Sequence, residues 1–99
     1  MSKYNHHEAH RDANHTEIVN ALQGIGCVVQ DLSGVGGGCP DIMWSLSGNM
    51  GLMEIKSDKG KLRDDQVGWH ERWKGRVAVV RSPDAAIAEI LSAQQARNR

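Results

Sequence analysis

The sequence predicts a single α/β domain in the order α-β-β-β-α-β-α, a mixed β-sheet flanked by helices, and three observations carry that prediction. Apolar residues recur at helical spacing in three separate stretches, around residues 18, 67 and 87. Four short runs rich in Val, Ile and Leu lie between or beside them, and glycine clusters divide the segments. A chain of 99 residues can bury about 60 to 70% of its unfolded surface around one core, but cannot support two.

Residues 1–13 are polar, His-rich and without period, and are expected to be a mobile tail, leaving 14–99 as the domain. The first helix is expected from Asn14. Asn14 is a suitable N-cap, Glu17 follows three residues later as in a capping box, and Ile18, Ala21, Leu22 and Ile25 form an apolar stripe that ends at Gly24 and Gly26. Residues 26–32 read as a Val-rich strand. Ser33-Gly34-Val35-Gly36-Gly37-Gly38 must be a loop. Residues 41–46 and 51–57 are strand-like runs joined by Ser47-Gly48-Asn49-Met50, the pattern of a β-hairpin. A basic connection, 59–63, leads into a helix at about 64–74 with Val67, Trp69, His70 and Trp73 on its apolar face, closed by Gly75. Residues 76–81 form a β-branched strand. Ser82-Pro83 starts the last helix, with Ser as N-cap and Pro in its first turn, and Ile87, Ile90 and Leu91 as its apolar face.

Composition excludes several classes. The apolar fraction is 39%, and no run approaches the roughly 20 residues that span a bilayer. The N-terminus lacks the apolar stretch of a secretory signal, so a cytoplasmic protein is expected. Cys27 and Cys39 are read as reduced, one a small core residue and the other a loop residue. Twelve basic and twelve acidic groups cancel, yet they are unevenly placed. Residues 1–55 hold two basic and six acidic groups, and residues 56–81 hold eight basic and four acidic ones. If the early acids bind divalent cations, the remaining surface attracts phosphate.

The chemistry is expected in the hairpin. With a two-residue turn at Gly48-Asn49, Asp41 stands across from Lys56, and Glu54 lies two residues before Lys56 on the same face. Two carboxylates are hard oxygen ligands for Mg²⁺ or Mn²⁺, and an ammonium beside them can orient a water or steady a charged transition state. The alternative is an exposed salt bridge, common and energetically slight.

Read together, Gly38-Cys39-Pro40-Asp41 and Glu54-Ile55-Lys56 resemble the PD-(D/E)XK nuclease superfamily. More narrowly, residues 16–90 look like a stand-alone VRR-NUC domain of the phage and bacterial type, with Gln66 at a helix start and Gly75-Arg76-Val77-Ala78-Val79-Val80-Arg81-Ser82 in the expected order. The resemblance implies a restriction-endonuclease-like core. It also implies metal binding by Asp41 and Glu54 with the Ile55 carbonyl, catalysis by Lys56, a first-helix acid at Glu17 that reaches the metal, and a glutamine near the site at Gln66. Glu17 and Gln66 each have a plainer role open to them, as a capping-box acid and as a first-turn polar residue. Arg63 replaces the serine that usually precedes the second helix, which leaves Asp64 as the expected cap.

Other signals are discounted. The Gly34–Gly38 loop lacks the Lys-Ser/Thr of a P-loop and leads into a strand. His6, His7, His10 and His15 are read as part of a polar tail rather than a zinc site, and Trp44, Trp69 and Trp73 as core or interface residues rather than base-stacking platforms. The expected function is a Mg²⁺- or Mn²⁺-dependent DNA endonuclease. By resemblance, branched DNA such as a four-way (Holliday) junction is its first expected substrate, with flaps, ends or linear duplex next. Paired cuts at a junction imply a homodimer. A non-catalytic DNA-binding module is the rival from another class.

Overall fold

The structure, a computed structural model, describes the backbone of residues 6–97 and the side chains of residues 14–96. The elements are α1 (His6–Gly24), β1 (Val28–Asp31), β2 (Ile42–Leu46), β3 (Asn49–Ile55), α2 (Asp64–Arg72), β4 (Val77–Val80) and α3 (Pro83–Arg97). One four-stranded sheet has the order β1-β2-β3-β4, antiparallel across its first three strands and parallel between β3 and β4. The expected α/β order and the mixed sheet are both present.

The core lies on one face of the sheet. Ile42 and Trp44 of β2, Met53 and Ile55 of β3 and Val80 of β4 pack against Ile18 and Leu22 of α1 and Ala86, Ile90 and Ala93 of α3. Trp44 is wholly buried, as expected, and its cross-strand partner is Gly51. A Cβ at Gly51 would lie 3.0 Å from the indole, so glycine gives that ring its room. Both cysteines are free thiols, Cys27 buried and Cys39 partly so.

Several boundaries differ from the sequence expectation. The first helix begins at His6 rather than Asn14, and residues 1–5 of the expected tail lie outside the described residues. Asn14 is therefore an interior position. Its side-chain amide donates to the Lys56 carbonyl at 3.1 Å, a partner 42 residues away, instead of capping the helix. The helix end is as expected: Gly26, at φ 103°, donates to Gln23 while Cys27 donates to Leu22, the paired bonds of a Schellman motif. At α2 the cap is Arg63, not Asp64. The Arg63 amide donates to Gln66 Oε1 at 2.9 Å, so the glutamine supplies the capping bond and the residue before the helix need not. At α3 Ser82 caps as expected, its hydroxyl accepting from the Ala85 amide at 3.1 Å.

The hairpin register also shifts. Leu46 pairs with Asn49 and Ile42 with Met53, so the turn is Ser47-Gly48. Both turn residues have positive φ, 53° and 85°. That is the hand a two-residue hairpin prefers, because it matches the twist of the strands. Extended by one step, the register sets Asp41 opposite Glu54 rather than Lys56. The shift is by a whole pair, so every side chain keeps its expected face.

Candidate active site

Strand alternation directs Asp41, Glu54 and Lys56 away from the helix-covered core, toward the face over which α2 lies. Asp41 sits immediately before β2 and is fixed by its backbone on both sides, donating to Met53 at 3.0 Å and accepting from Leu32 at 2.8 Å. Its carboxylate Oδ2 accepts from the Ile55 amide at 2.8 Å. Glu54, in β3, points at the same place and is 2% exposed. Gln66, buried on the first turn of α2, donates from Nε2 to Glu54 Oε2 at 3.1 Å while its Oε1 caps the helix. The two roles open to Gln66 are thus filled by the two ends of one amide group.

Glu54 Oε1 is buried and has no hydrogen-bond partner among the described residues. A bare carboxylate oxygen away from water is costly, and the electrostatics of the site show that cost. Burial, then the facing Asp41 carboxyl, push the Glu54 pKa from 4.5 up to about 8, against a smaller opposing pull from Lys56 and Arg63. Two carboxylates this close cannot both ionise unless positive charge arrives. A divalent cation supplies that charge and takes oxygen ligands, so the donor set fits Mg²⁺ or Mn²⁺. Burial and the same two acids also raise the Cys39 thiol, which makes it a poor nucleophile.

Lys56 follows β3 and is half-buried. Its amide donates to Val80 at 3.0 Å and its carbonyl accepts from Asn14, so the backbone is pinned between β4 and α1. Among the described residues its ammonium forms no ion pair within 4.0 Å, so the exposed salt bridge open to it is not formed.

Glu17 is different. It is exposed on α1, one turn from Asn14, and among the described residues no group of three or more His, Cys, Asp and Glu side chains is placed to hold a metal. The structure brings Asp41, Glu54 and Gln66 together with Lys56 alongside, and leaves Glu17 outside that cluster.

Three further residues shape the site. Gly38 is buried at φ 85°, and a Cβ there would collide with the Asp65 carbonyl, so the glycine loop bears directly on the first turn of α2. His70, one turn after Gln66, has a buried Nε2 without a partner among the described residues, and its pKa is lowered by burial and by Lys56. Asn14 holds the Lys56 carbonyl. None of the three carried a distinguishing signal in the sequence beyond the density of glycines before Asp41. Trp69 and Trp73 stack on each other with ring centroids 4.8 Å apart, and Trp73 is 42% exposed, so this pair is not core.

No protein-family model and no curated protein matches the chain. Among solved structures, a VRR_NUC domain superposes on it with a TM-score of 0.66, covering 82% of this chain and 94% of that one at 23% sequence identity. The chain has the fold of that domain.

Proposed function

We propose that this protein is a metal-dependent DNA nuclease of the VRR-NUC type, with Asp41 and Glu54 as its metal-binding carboxylates. The observation that carries the reading is the buried Glu54 carboxyl. It faces Asp41, is held by Gln66 and has one oxygen with no hydrogen-bond partner at bonding distance among the described residues. A structural salt bridge pairs an acid with a base, whereas here two carboxyls face each other, the arrangement that a cation site uses.

In this reading Asp41, Glu54 and the Ile55 carbonyl would hold one or two Mg²⁺ or Mn²⁺ ions, and Glu17, exposed on α1 and outside that cluster, would have to swing in to join them. The bound cation would polarise a phosphate and lower the pKa of a water, the usual contribution of such ions to phosphodiester hydrolysis. The protein's own residues then have distinct tasks. The Ile55 amide fixes one Asp41 oxygen and leaves the other free to bind. Gln66 does the same for Glu54, and because it also caps α2, the helix and the carboxylate are aligned by one side chain. Lys56, half-buried and without an ion pair among the described residues, places an ammonium where negative charge would develop on the phosphate. By the resemblance to the VRR-NUC family, cleavage would leave a 5′-phosphate.

Branched DNA, first a four-way junction, is the proposed substrate. One chain carries one carboxylate pair, so two symmetric cuts require a homodimer. The test is cleavage of a labelled four-way junction beside linear duplex and single strand, by wild type and Asp41→Asn, with Mg²⁺, Mn²⁺ or EDTA. Paired cuts at the junction that need metal and Asp41 are expected. Cutting of flaps, ends or linear duplex alone would keep the chemistry and remove the junction assignment. Binding that survives EDTA and Lys56→Ala with no cutting under any metal would make the protein a DNA-binding module instead. Among the described residues no helix is long and apolar enough to cross a membrane.

A further inference from the structure

Where β3 ends at Ile55, the chain leaves the sheet and makes a turn that belongs to no helix or strand, its Gly60 amide donating to the Ser57 carbonyl at 3.1 Å. What holds this turn is a residue from the far end of β4. Arg81 Nη1 donates to the Ser57 carbonyl at 2.7 Å and to the Gly60 carbonyl at 2.6 Å, with the Asp58 carbonyl at 3.5 Å. The turn also packs on the Lys56 side chain. A Cβ built on Gly60 would lie 3.6 Å from Lys56 Cδ, ordinary van der Waals contact, and 3.0 Å from Ser57 Oγ, so the turn lies directly against the lysine stem.

The charge gathered here is unusual. Residues 56–63 carry four basic groups and one acid, and since Arg63 is paired with Asp65 at 3.2 Å, Lys56, Lys59 and Lys61 are the basic groups left over. Lys59 and Lys61 are exposed, and among the described residues neither makes a hydrogen bond or ion pair. Arg81 adds another positive group, and it is satisfied by neutral carbonyls rather than by an acid, so its charge is not offset there. Like charges ordered in one turn repel one another, and an anion met there relieves that repulsion.

We propose that the 57–61 turn is a docking surface for the backbone phosphates of the DNA strand, with Lys59 and Lys61 as phosphate contacts and Arg81 as the residue that positions the turn. The inference rests on the nuclease reading above and specifies where the strand is gripped. Phosphates recur along a strand at the scale of a short turn, and the turn adjoins Lys56, so a strand held there passes the carboxylate pair.

The test uses the full chain carrying Asp41→Asn as a cleavage-deficient parent, a fluorescein-labelled four-way junction and duplex, and anisotropy titrations with Mg²⁺ across a range of NaCl. Adding Lys59→Gln and Lys61→Gln should weaken binding and make the slope of log K against log[NaCl] shallower by about 2, close to one for each lysine that no longer meets a phosphate. Arg81→Gln should weaken binding as well, and should speed trypsin cleavage after Lys59 and Lys61 in the absence of DNA, a readout that does not depend on nuclease function. A double lysine variant with the parent's affinity and slope overturns the proposal. An Arg81→Gln variant that loses affinity with unchanged trypsin sensitivity overturns its positioning role and makes Arg81 a direct contact. Should Arg81→Gln fail to fold, as thermal melting would reveal, the exposed lysine pair still decides the matter. A parent that binds neither DNA, taken with a wild type that cuts none, removes the nuclease reading itself.

Discussion

Replacing Glu54 with glutamine should make the metal-free protein more stable at neutral and mildly alkaline pH, and the gain can be worked from the site. The Glu54 carboxyl titrates near 4.5 when exposed and at about 8 when buried against Asp41. Between those values the folded chain holds a proton that the unfolded chain has released, so stability falls as pH rises. The contribution is fully present below 4.5 and is lost as pH climbs through 8. His70 acts in the opposite sense. Its lowered pKa costs stability below its ordinary 6.5 and matters little above that range. Both thiols are raised from 9.0 and titrate higher still. From pH 7 to 8 the Glu54 effect therefore dominates among the described groups, at about 1 kcal/mol given about 1.4 kcal/mol per pH unit and some rounding near 8. For a domain this small, about 1 kcal/mol moves Tm by roughly 4 to 8 °C. Thermal melts in EDTA should show wild type losing that much between pH 7 and 8, and Glu54→Gln, which keeps an acceptor for Gln66, staying flat. Mn²⁺ at saturation should flatten the slope for wild type, because both carboxylates must ionise to bind it and the folded chain then holds no extra proton; at about 100 times Kd it adds about 2.7 kcal/mol. A wild type with no pH slope in EDTA, or one shared by Glu54→Gln, would refute the account of the site.

Other perturbations separate chemistry from architecture. Gly38→Ala should push the first turn of α2 off the glycine loop, costing about 1 to 3 kcal/mol in chemical denaturation from the positive φ and the clash with Asp65, with cleavage lost beyond what stability explains; an unchanged kcat would show that α2 placement does not matter. Gln66→Ala removes a helix cap and the hold on Glu54 together. It should cost about 1 kcal/mol in urea titrations and weaken Mn²⁺ binding in calorimetry. Ile90→Ala, wholly buried on α3, should cost about 2 to 5 kcal/mol while leaving the kcat of the folded fraction within a few fold, as measured at low temperature.

Much of this was legible from residue order. The period of the apolar positions set the element types, and the pairing of Asp41 with a Glu-x-Lys strand pointed to the face where the carboxylates meet. What was not legible depended on single local choices. Ser47 adopts a left-handed conformation normally left to Gly or Asn, which moved the turn by one residue. Asn14 found its acceptor 42 positions away, so a residue with good capping chemistry was used for tertiary contact. Arg63 could stand before α2 because Gln66 reached back to cap it. Arg81 closes the last β-branched run, but nothing in its sequence neighbours revealed that it grips a turn more than twenty residues earlier.

The parallel pairing of β3 with β4 has a kinetic consequence. The β2–β3 hairpin closes over two residues, on a timescale of about 1 to 10 µs for an isolated hairpin. Asp41 and Glu54 can therefore meet early. The Lys56 amide waits for Val80 and its carbonyl for Asn14, contacts spanning 24 and 42 positions, and such distant closures come late. A nascent chain emerging from the ribosome thus holds the acidic pair before its lysine is fixed. The lysine is fixed beside the acidic pair only after the last strand has been synthesised.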